Sequence, residues 1–435
     1  MGQGKPGADA GTGQTRILVE NGEYWLRNRG DIAMMEITVR RLREHWPRAR
    51  VGLLTEAPRI LRALVPEAEP VPASGAWGGE TAETSWDRAL APMALRWRAA
   101  TDGPKTALRG IRNSVRGGGE SPAPPQPAVP AAAGAADLVL AQGGGYLTDI
   151  DLYQAHRALN LLEYAQAQGV PTAMIGQGLG PIDDPGLLEH AARVLPGVGF
   201  IGLREGRRGP DLLTKLGVAP ERILVTGDDA IEPAYLLRRP EIGGDLGICL
   251  RVAYYARVSD AARATLGEVV RARAAGFDAA LAPLVISEYD GEDRQCTRSL
   301  LTGAARARAP IGRGGSATAV IRQVSGCRVV VTSAYHLAVF ALAQGIPAIG
   351  LTASRYYDDK FHGLAEIFGG GMRVVRLDAP ELGRSLDDAI RELWESAPDL
   401  RKSLLHRAQQ QTAAARTGMD RVYGLVEGDR AREER

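Results

Sequence analysis

The sequence predicts an α/β protein built from two Rossmann-like domains with parallel sheets and a ligand cleft between the domains. Short apolar strands alternate with amphipathic helices from Ile17 to Leu54 and again from Asp137 to Thr226, which is the pattern of a parallel sheet with helical crossovers. The alternation breaks over Glu232–Gly244, where prolines occur and apolar residues are few, and it resumes at Leu246. A length of 435 residues is sufficient for two domains with full cores.

The break in the pattern gives an N-terminal domain at residues 15–240 and a C-terminal domain at residues 241–420. Residues 1–14 are glycine-rich and polar, and we expect a disordered tail there. The charged end, residues 421–435, is expected to fray. Residues 72–135 carry glycine and proline runs with scattered arginines, so we interpret them as an insertion that is partly disordered. It is either a surface loop or a lid whose arginines reach an anionic substrate.

In chain order, the first strand is Ile17–Glu20, followed by the polar stretch Arg27–Asp31 and an amphipathic helix. Aspartate is a favoured N-cap residue, so we predict that Asp31 caps this helix. Further strands are expected in the first domain at Ala49–Leu54, Asp137–Ala141, Val170–Ile175, Gly199–Leu203 and Ile223–Thr226, and in the second at Leu246–Leu250 and Asp278–Ile286. Residues from 381 onward are mostly helical and could pack back across both domains.

Charge and composition exclude several classes of function. Lysine and arginine number 53 against 51 acidic residues, which argues against a nucleic-acid partner. No apolar run approaches the roughly 18 residues that cross a bilayer, and the N-terminus lacks the apolar core of a signal peptide, so we expect a cytoplasmic protein. Three widely spaced cysteines predict a reducing compartment, and we expect no metal site and no cofactor. Abundant Ala, Gly, Arg and Pro are typical of bacteria with GC-rich genomes.

Glycine-rich or charged segments follow several predicted strands, at Arg27–Asp31, Gln142–Asp149, Gly176–Pro181 and Gly227–Asp229. Ligands of open α/β sheets bind at the carboxyl ends of strands, and glycine lets a ligand approach backbone N–H groups. The triplet Gly143, Gly144 and Gly145 therefore suits an anionic or sugar ligand, although tight turns also use glycine. The triplet is neither a Walker loop nor a dinucleotide fingerprint.

Residues 329–351, VVVTSAYHLAVFALAQGIPAIGL, predict a strand, a turn, a helix and a second strand. His336 stands at the start of the helix, where free N–H groups lower the pKa of a histidine. A neutral imidazole at this place can act as an acid or a base near neutral pH. A half-buried histidine bonded to a backbone carbonyl is the alternative, and the chemistry alone leaves both open.

Residues 352–363, TASRYYDDKFHG, are predicted as a loop that places Arg355, Lys360 and His362 at a strand end. Such cations suit a phosphate or a carboxylate, since arginine pairs with two oxygens and lysine supplies a point charge. Tyr356 can hydrogen-bond to a sugar or stack on its ring. A solvated loop in which the neighbouring aspartates pair with these cations is the alternative.

Together, these motifs and their order resemble the polysaccharide pyruvyl transferase family. The matching residues are, in chain order, Asn28, Gly30 and Asp31, the glycine triplet at 143–145, Gly176, Gly178, Gly180 and Pro181, Leu203 and Arg204, the strand ending LVTGDDA with Asp228, Arg251, His336, the Gly-Ile-Pro at 345–347, and Lys360. The match covers most of residues 17–370.

The resemblance implies a GT-B-like fold and transfer of a pyruvyl or enolpyruvyl group from phosphoenolpyruvate to a sugar-containing acceptor. It implies that His336 is a catalytic acid or base at the donor site. We expect the donor's anionic groups near Arg251, Ser333, Tyr335, Arg355 and Lys360. We expect the acceptor near the loop residues Asn28, Gly30, Asp31, Gly143, Gly144, Gly145, Gln177, Arg204, Asp228 and Tyr356.

The sequence departs from the family's Arg-x-His motif at Ala334, where the family has an arginine. That guanidinium would hold the donor's phosphate or carboxylate through a charged hydrogen bond, worth roughly 1.5–3 kcal/mol. Either Arg251, Arg355 or Lys360 replaces it, or the donor is a different molecule.

Two other functions stay open. A GT-B-type glycosyltransferase that uses a nucleotide-activated sugar fits the same two-domain plan, and Ala334 and the paired tyrosines at 356 and 357 favour it. A non-catalytic binding protein that keeps the fold is the other alternative. The sequence does not fix the acceptor, whether the product is a ketal, or the oligomeric state, a homodimer included.

Overall fold

Two parallel sheets form the framework of the protein. The structure, a computed structural model, describes residues 14–73, 91–101, 129–252, 257–289 and 293–433. Within these residues the first sheet has eight strands: β1 (Arg16–Glu20), β2 (Arg50–Thr55), β3 (Glu69–Pro72), β4 (Leu138–Ala141), β5 (Gly144–Leu147), β6 (Thr172–Leu179), β7 (Phe200–Leu203) and β8 (Ile223–Val225). The second has five: β9 (Asp245–Cys249), β10 (Leu281–Pro283), β11 (Cys327–Thr332), β12 (Ala348–Thr352) and β13 (Met372–Arg376).

The strand order is β3-β2-β1-β4-β6-β7-β8 in the first sheet, with β5 beside β6, and β10-β9-β11-β12-β13 in the second. Neighbouring strands pair in parallel, as in β1 with β4 and β9 with β11. Because consecutive parallel strands need a crossover, helices cover both faces and the central strands are buried, whereas the edge strands β3 and β8 are partly exposed. The predicted fold class, two Rossmann-like domains with a cleft between them, is confirmed.

The helices are α1 (Arg29–His45), α2 (Pro58–Leu64), α3 (Leu152–Ala167), α4 (Pro185–Val194), α5 (Gly209–Lys215), α6 (Ile231–Leu236), α7 (Asp260–Gly276), α8 (Asp293–Leu300), α9 (Ala317–Val324), α10 (Tyr335–Ala343), α11 (Arg355–Phe368) and α12 (Leu382–Glu433). Residues 91–101 are helical as well. None of the helices in the described part of the chain is both long enough and apolar enough to cross a membrane.

Helix α1 begins three residues earlier than the sequence predicts. The cap is Asn28, whose Oδ1 accepts the N–H of Gly30 at 3.0 Å, so the prediction that Asp31 caps the helix is wrong. Asparagine is as good an N-cap as aspartate, and here it comes first along the chain. Asp31 consequently stands in the first turn, with its carboxylate available to the cleft.

Helix α11 replaces the loop that the sequence predicts at residues 352–363. Tyr357, Phe361, Leu364 and Phe368 are buried, and their spacing of four, three and four residues is that of one face of a helix. The helix brings Lys360 towards the cleft, whereas His362 on another face is exposed.

Strand β6 extends through four of the residues that the sequence assigns to a glycine loop. Gly176, Gln177, Gly178 and Leu179 belong to the strand, and the pairing with β7 shifts register between Met174 and Gln177. Gly176 has a φ of +55° at this irregularity, a conformation that favours glycine. An irregular strand thus occupies the place of the predicted turn.

Helix α12 packs back across both domains, as the sequence suggests. It contacts α1 and α6 of the first domain and α7 and α10 of the second. The end predicted to fray from residue 421 instead continues the helix to Glu433, with Val422 and Val426 buried. The apolar spacing of four residues gives this end a buried face and so a reason to stay helical.

The two chain segments predicted to be disordered fall largely outside the described residues. Residues 1–13, 74–90 and 102–128 are not described, so the N-terminal tail, the insertion and its role as a lid stay predictions. The boundary placed between residues 240 and 241 lies between β8 and β9 and stays a prediction as well.

Candidate active site

A cavity of about 460 Å³ opens between the two sheets. Its lining comes from segments that follow the carboxyl ends of strands in both domains, among them Asn21, Arg204, Arg251, Ser287 and His336. The carboxyl ends of parallel strands meet at one edge of a sheet, and that is where ligands bind in open α/β folds. The arrangement of the two sheets therefore creates the candidate site.

The structure brings ten of the predicted site residues to the wall of this cleft: Asn28, Asp31, Gly144, Gly145, Arg204, Arg251, Tyr335, His336, Tyr356 and Lys360. Six others do not line it: Gly30, Gly143, Gln177, Asp228, Ser333 and Arg355. Five of these six lie directly behind the lining residues, and only Arg355 points away.

His336 stands in the first turn of α10 and is 8% exposed. Burial and the charges of Arg204, Lys360 and Arg251 hold its pKa well below the usual value, so the imidazole is neutral near pH 7. Its Nε2 has no hydrogen-bond partner among the described residues. A neutral imidazole that lines a ligand cleft and has an unpartnered nitrogen is suited to accept and return a proton.

Gly30 makes the space that this imidazole occupies. A Cβ added to Gly30 would lie 2.6 Å from the Cβ of His336 and closer still to the ring. The first turn of α1 and the first turn of α10 therefore meet at these two residues, one from each domain. Gly30 contacts His336 and does not line the cleft.

Asp228 lies beneath His336 and Arg204, fully removed from solvent. Its Oδ2 stands 3.7 Å from Nε2 of His336 and 3.9 Å from Nη1 of Arg204, and its Oδ1 accepts the N–H of Ala230 at 2.9 Å. Burial raises the pKa of this carboxyl to about 6, against the opposing effect of Arg204. Asp228 thus places a negative charge under the two groups that face the cleft.

Arg204 follows strand β7 and is 3% exposed. Its guanidinium lies over the ring of Tyr335, with Cζ 4.4 Å from the ring centroid, a favourable cation–π arrangement. Gly178 leaves room for it, since a Cβ there would lie 2.6 Å from that Cζ. Gly178 is therefore required because a larger residue would collide with Arg204 of the same domain.

Lys360 reaches the cleft from α11. Its ammonium lies 3.7 Å from the ring centroid of Tyr356 and donates to the hydroxyl of that residue, which itself donates to the carbonyl of Gly145 at 2.9 Å. Burial and the charges of Arg204 and Arg251 hold the pKa of Lys360 well below its usual value. An anion bound here would remove much of that repulsion.

Arg251 forms the wall of the cleft from the second domain. Its Nε and Nη2 donate to the two carboxylate oxygens of Asp293 at 2.8 and 3.1 Å, and its backbone N–H donates to Oγ of Ser333 at 2.6 Å. Ser333 therefore fixes the backbone of Arg251 and does not line the cleft. The carboxylate of Asp293 therefore neutralises much of the charge of Arg251.

Asp31 introduces an acidic group opposite these cations. Burial, Glu23 and Asp228 raise its pKa to about 7, while Arg251 and Lys360 act in the other direction. A carboxyl with this pKa exchanges its proton near neutral pH. The cleft accordingly holds a neutral imidazole and a carboxyl that is partly protonated at the same pH.

The remaining glycines pack against side chains of the protein itself. A Cβ on Gly145 would lie 2.7 Å from Nζ of Lys360, and one on Gly144 would lie 2.6 Å from the ring of Tyr146. Gly143 faces Asp229 and Met34 from behind the cleft. Close approach of side chains, not of a ligand alone, accounts for the triplet.

Gln177 and Arg355 interact with other groups of the protein and not with the cleft. The amide nitrogen of Gln177 donates to the carbonyls of Ala141 and Gln142 at 3.1 and 2.7 Å, so it joins β4 to β6 inside the sheet. Arg355 pairs with Asp183 at 2.9 Å, and both side chains are more than half exposed. Neither residue reaches the cleft.

Several lining residues were not predicted, among them Glu23, Thr148, Asp151, Ser287 and Tyr289. The hydroxyl of Tyr289 donates to Glu23 at 2.6 Å, which links the two domains across the cleft. Glu23 and Ser287 both follow strand ends, so the rule that located Arg204 could also have located them. A metal-ligand cluster of three or more His, Cys, Asp or Glu residues is absent from the described residues.

Two Rossmann-like domains with a ligand cleft at their strand ends define a GT-B-like protein. The chain belongs to the polysaccharide pyruvyl transferase family, whose model matches residues 28–355. A search of curated proteins finds no match. The family is one of transferases, and the matched region includes His336, Arg204 and Arg251 but ends before Lys360.

Solved structures support the fold. The UDP-GlcNAc 2-epimerase of Neisseria meningitidis, bound to UDP-GlcNAc, has a TM-score of 0.52 and 11% identity, covering 94% of this chain and 98% of its own. A glycosyltransferase of Rickettsia africae has a TM-score of 0.52 and 9% identity, covering 95% and 99%. S. aureus MnaA, solved with UDP, has a TM-score of 0.54 and 12% identity, covering 95% and 97%. At these identities the likeness establishes the fold alone.

Proposed function

We propose that this protein transfers a pyruvyl-type group from phosphoenolpyruvate to a hydroxyl of a sugar-containing acceptor. Membership of the polysaccharide pyruvyl transferase family supports the reaction class. The convergence of Arg204 and Lys360 on the neutral imidazole of His336 is the observation that carries the proposal. Phosphoenolpyruvate has a phosphate and a carboxylate beside its reacting carbon, so it needs cations next to an acid–base group.

Arg204 and Lys360 supply the charge that Ala334 lacks. Ala334 is fully buried at the start of α10, and the two cations face the cleft from β7 and α11. A charged hydrogen bond to phosphate or carboxylate contributes about 1.5–3 kcal/mol. Two such groups together support donor binding without an arginine at position 334.

His336 serves as the proton shuttle in this reaction. An acceptor hydroxyl adds to C2 of phosphoenolpyruvate, and its proton passes to Nε2 of His336 and from there to C3, which becomes a methyl group. The bond between C2 and the bridging oxygen then breaks, and phosphate leaves with the bonding electrons. A second hydroxyl then adds to C2 and passes its proton to the phosphate, which gives a ketal. Alternatively, C3 loses a proton to the phosphate, which gives an enolpyruvyl ether.

The test measures phosphate released from phosphoenolpyruvate with and without a panel of acceptor glycans. We expect release that depends on the acceptor and is lost in His336→Ala. His362→Ala is the matched control, because His362 is exposed on the adjacent helix α11. Absence of phosphoenolpyruvate binding in calorimetry, with the protein folded, would exclude the proposal.

A glycosyltransferase that uses a nucleotide-activated sugar is the second candidate. The absent arginine at Ala334 favours it, and a similarly folded protein is bound to UDP-GlcNAc. Tyr335, Tyr356 and Tyr357 line the cleft and could stack on a base or a sugar. This candidate predicts thermal stabilisation by UDP-sugars and none by phosphoenolpyruvate, the reverse of the first.

A further inference from the structure

The side chain of Arg29 crosses from the first domain into the second. Arg29 stands in the first turn of α1 and is 3% exposed. Its guanidinium donates to Oε1 of Glu288 at 2.9 Å. It also donates, at 2.8–3.2 Å, to four backbone carbonyls of the second domain, those of Val285, Gly312, Arg313 and Gly315. One guanidinium thus fixes the start of α1 to two loops, the one after β10 and the one before α9.

The backbone continues this contact between the domains. The N–H of Arg29 donates to the carbonyl of Ile286 at 2.9 Å. Asn28, the N-cap of α1, forms an antiparallel β-bridge with Ser287. The chain at the start of α1 therefore pairs with the loop after β10 as two short extended segments, and this pairing fixes where α1 begins relative to the second domain.

The loop after β10 is also part of the cleft. Ile286 and Ser287 line the cavity, and their N–H groups donate to Oδ2 of Asp293 at 3.0 and 2.7 Å. The carboxylate of Asp293 is the one that binds Arg251 in the wall of the cleft. Arg29 therefore connects α1 to a loop that the cleft itself holds in place.

Compensation of charge does not account for Arg29. Glu288 is 8% exposed and also pairs with Arg294 and, at 3.0 Å, with Arg313. Two arginines of its own domain thus neutralise this carboxylate already, and a further buried cation costs free energy unless its donors are bonded. The four carbonyls supply those bonds. The environment of Arg29 is therefore that of a fixed contact between the domains, and its removal would leave Glu288 paired.

We propose that Arg29 positions His336 for proton transfer, by holding the first turn of α1, and hence Gly30, against the imidazole. Gly30 follows Arg29 directly and is packed on the ring of His336. The same contact sets the distance of 3.7 Å between Nε2 of His336 and Oδ2 of Asp228, which belongs to the first domain. Arg29 does not line the cleft, so it is a positioning residue. Its effect on turnover rests on the proposed transfer reaction, whereas its effect on the imidazole does not.

The first measurement uses the full chain without ligand, prepared with isotope-labelled histidine. It records the NMR resonances of the histidine rings, and His336→Ala identifies the resonance of His336 by its loss. We expect Arg29→Ala to shift that resonance. Arg29→Lys should shift it less in the same direction, because lysine keeps a charge beside Glu288 but has fewer donors for the carbonyls. Arg273→Ala is the control and should shift nothing, because Arg273 pairs with Asp387 between α7 and α12 and does not line the cleft.

The second measurement is phosphate release from phosphoenolpyruvate at saturating donor and acceptor. We expect kcat to fall at least tenfold in Arg29→Ala, since a small displacement of an acid–base group slows the reaction strongly. The fall should be smaller in Arg29→Lys and absent in Arg273→Ala. Circular dichroism establishes that each variant is folded.

A His336 resonance that does not move in folded Arg29→Ala, or that moves equally in Arg273→Ala, would overturn the inference. If Arg29→Ala does not fold, Arg29→Lys decides in the same way. The two proposals fail separately. A shifted resonance in a protein whose wild type releases no phosphate from phosphoenolpyruvate would reject the donor and keep the positioning role. Phosphate release by the wild type with an unmoved resonance in the variants would do the reverse.

Discussion

Gly30 of the first domain and His336 of the second lie in direct contact, and no side chain larger than hydrogen fits between them. A Cβ on Gly30 would lie 2.6 Å from Cβ of His336 and nearer to its ring. The contact fixes the imidazole against the first turn of α1 and beside Asp228. Two motifs that are about 300 residues apart in the sequence therefore form one structural unit.

Gly30→Ala should lower kcat at least tenfold, because the added methyl group pushes the imidazole out of position. Steady-state phosphate release measures the effect, and circular dichroism reports whether the fold is retained. Gly424→Ala is the control: nothing lies within 4 Å of that position in α12, so the change should stabilise the helix by about 0.5–1 kcal/mol. Equal activity of the two variants would show that the contact has no role in catalysis.

Lys360→Met should weaken phosphoenolpyruvate binding by about 10–100-fold, since it removes one charged hydrogen bond of about 1.5–3 kcal/mol. Calorimetry measures the affinity. Arg355→Met provides the comparison on the same helix, because Arg355 is 59% exposed and pairs with Asp183 away from the cleft. A loss of affinity in Arg355→Met and none in Lys360→Met would reverse our assignment of the replacement cation.

Binding of phosphoenolpyruvate should take up protons. The pKa values of His336 and Lys360 are held well below their usual values by burial and by neighbouring cations. A bound anion favours the protonated forms and raises both pKa values. Affinity should therefore fall as the pH rises above neutrality, where the phosphate of the ligand is fully ionised. Calorimetry in buffers with different ionisation enthalpies counts the protons, and proton release would contradict the assignment.

Asp31→Asn should change the pH dependence of stability. The pKa of Asp31 is about 7 in the folded protein, raised from 3.8 mainly by burial, so between pH 4 and 7 the folded state binds the proton that the unfolded state releases. Its contribution to stability is thus fully present below pH 4 and is lost as the pH rises through 7. At pH 8 the variant should exceed the wild type by about 2–4 kcal/mol, and at pH 4 the two should agree closely.

Urea unfolding at the two pH values, without ligand, measures this difference. Asp260→Asn is the control, because the side chain of Asp260 is 98% exposed and should leave the pH dependence as it is. A wild type whose stability does not fall between pH 4 and 7 relative to Asp31→Asn would mean that Asp31 is charged throughout this range.

The sequence by itself determined the alternation of strands and helices, the two-domain plan and the edge of the sheets at which ligands bind. These features follow from local periodicity, because the spacing of apolar residues within a short stretch of sequence distinguishes a buried strand from an amphipathic helix. The position of His336 at a helix start and the order of the motifs were readable for the same reason, and the order of the motifs indicated the family.

Only the tertiary structure decided which polar groups face the cleft. Arg204, Arg251, Arg355 and Lys360 all stand near strand ends, yet Arg355 points away and Asp293 neutralises much of Arg251. The direction of a side chain depends on packing between segments that are distant in the sequence, so the local sequence pattern does not predict it. The roles of the glycines could not be predicted for the same reason. Gly30, Gly145 and Gly178 leave space for His336, Lys360 and Arg204, respectively, and those contacts exist only in the folded chain.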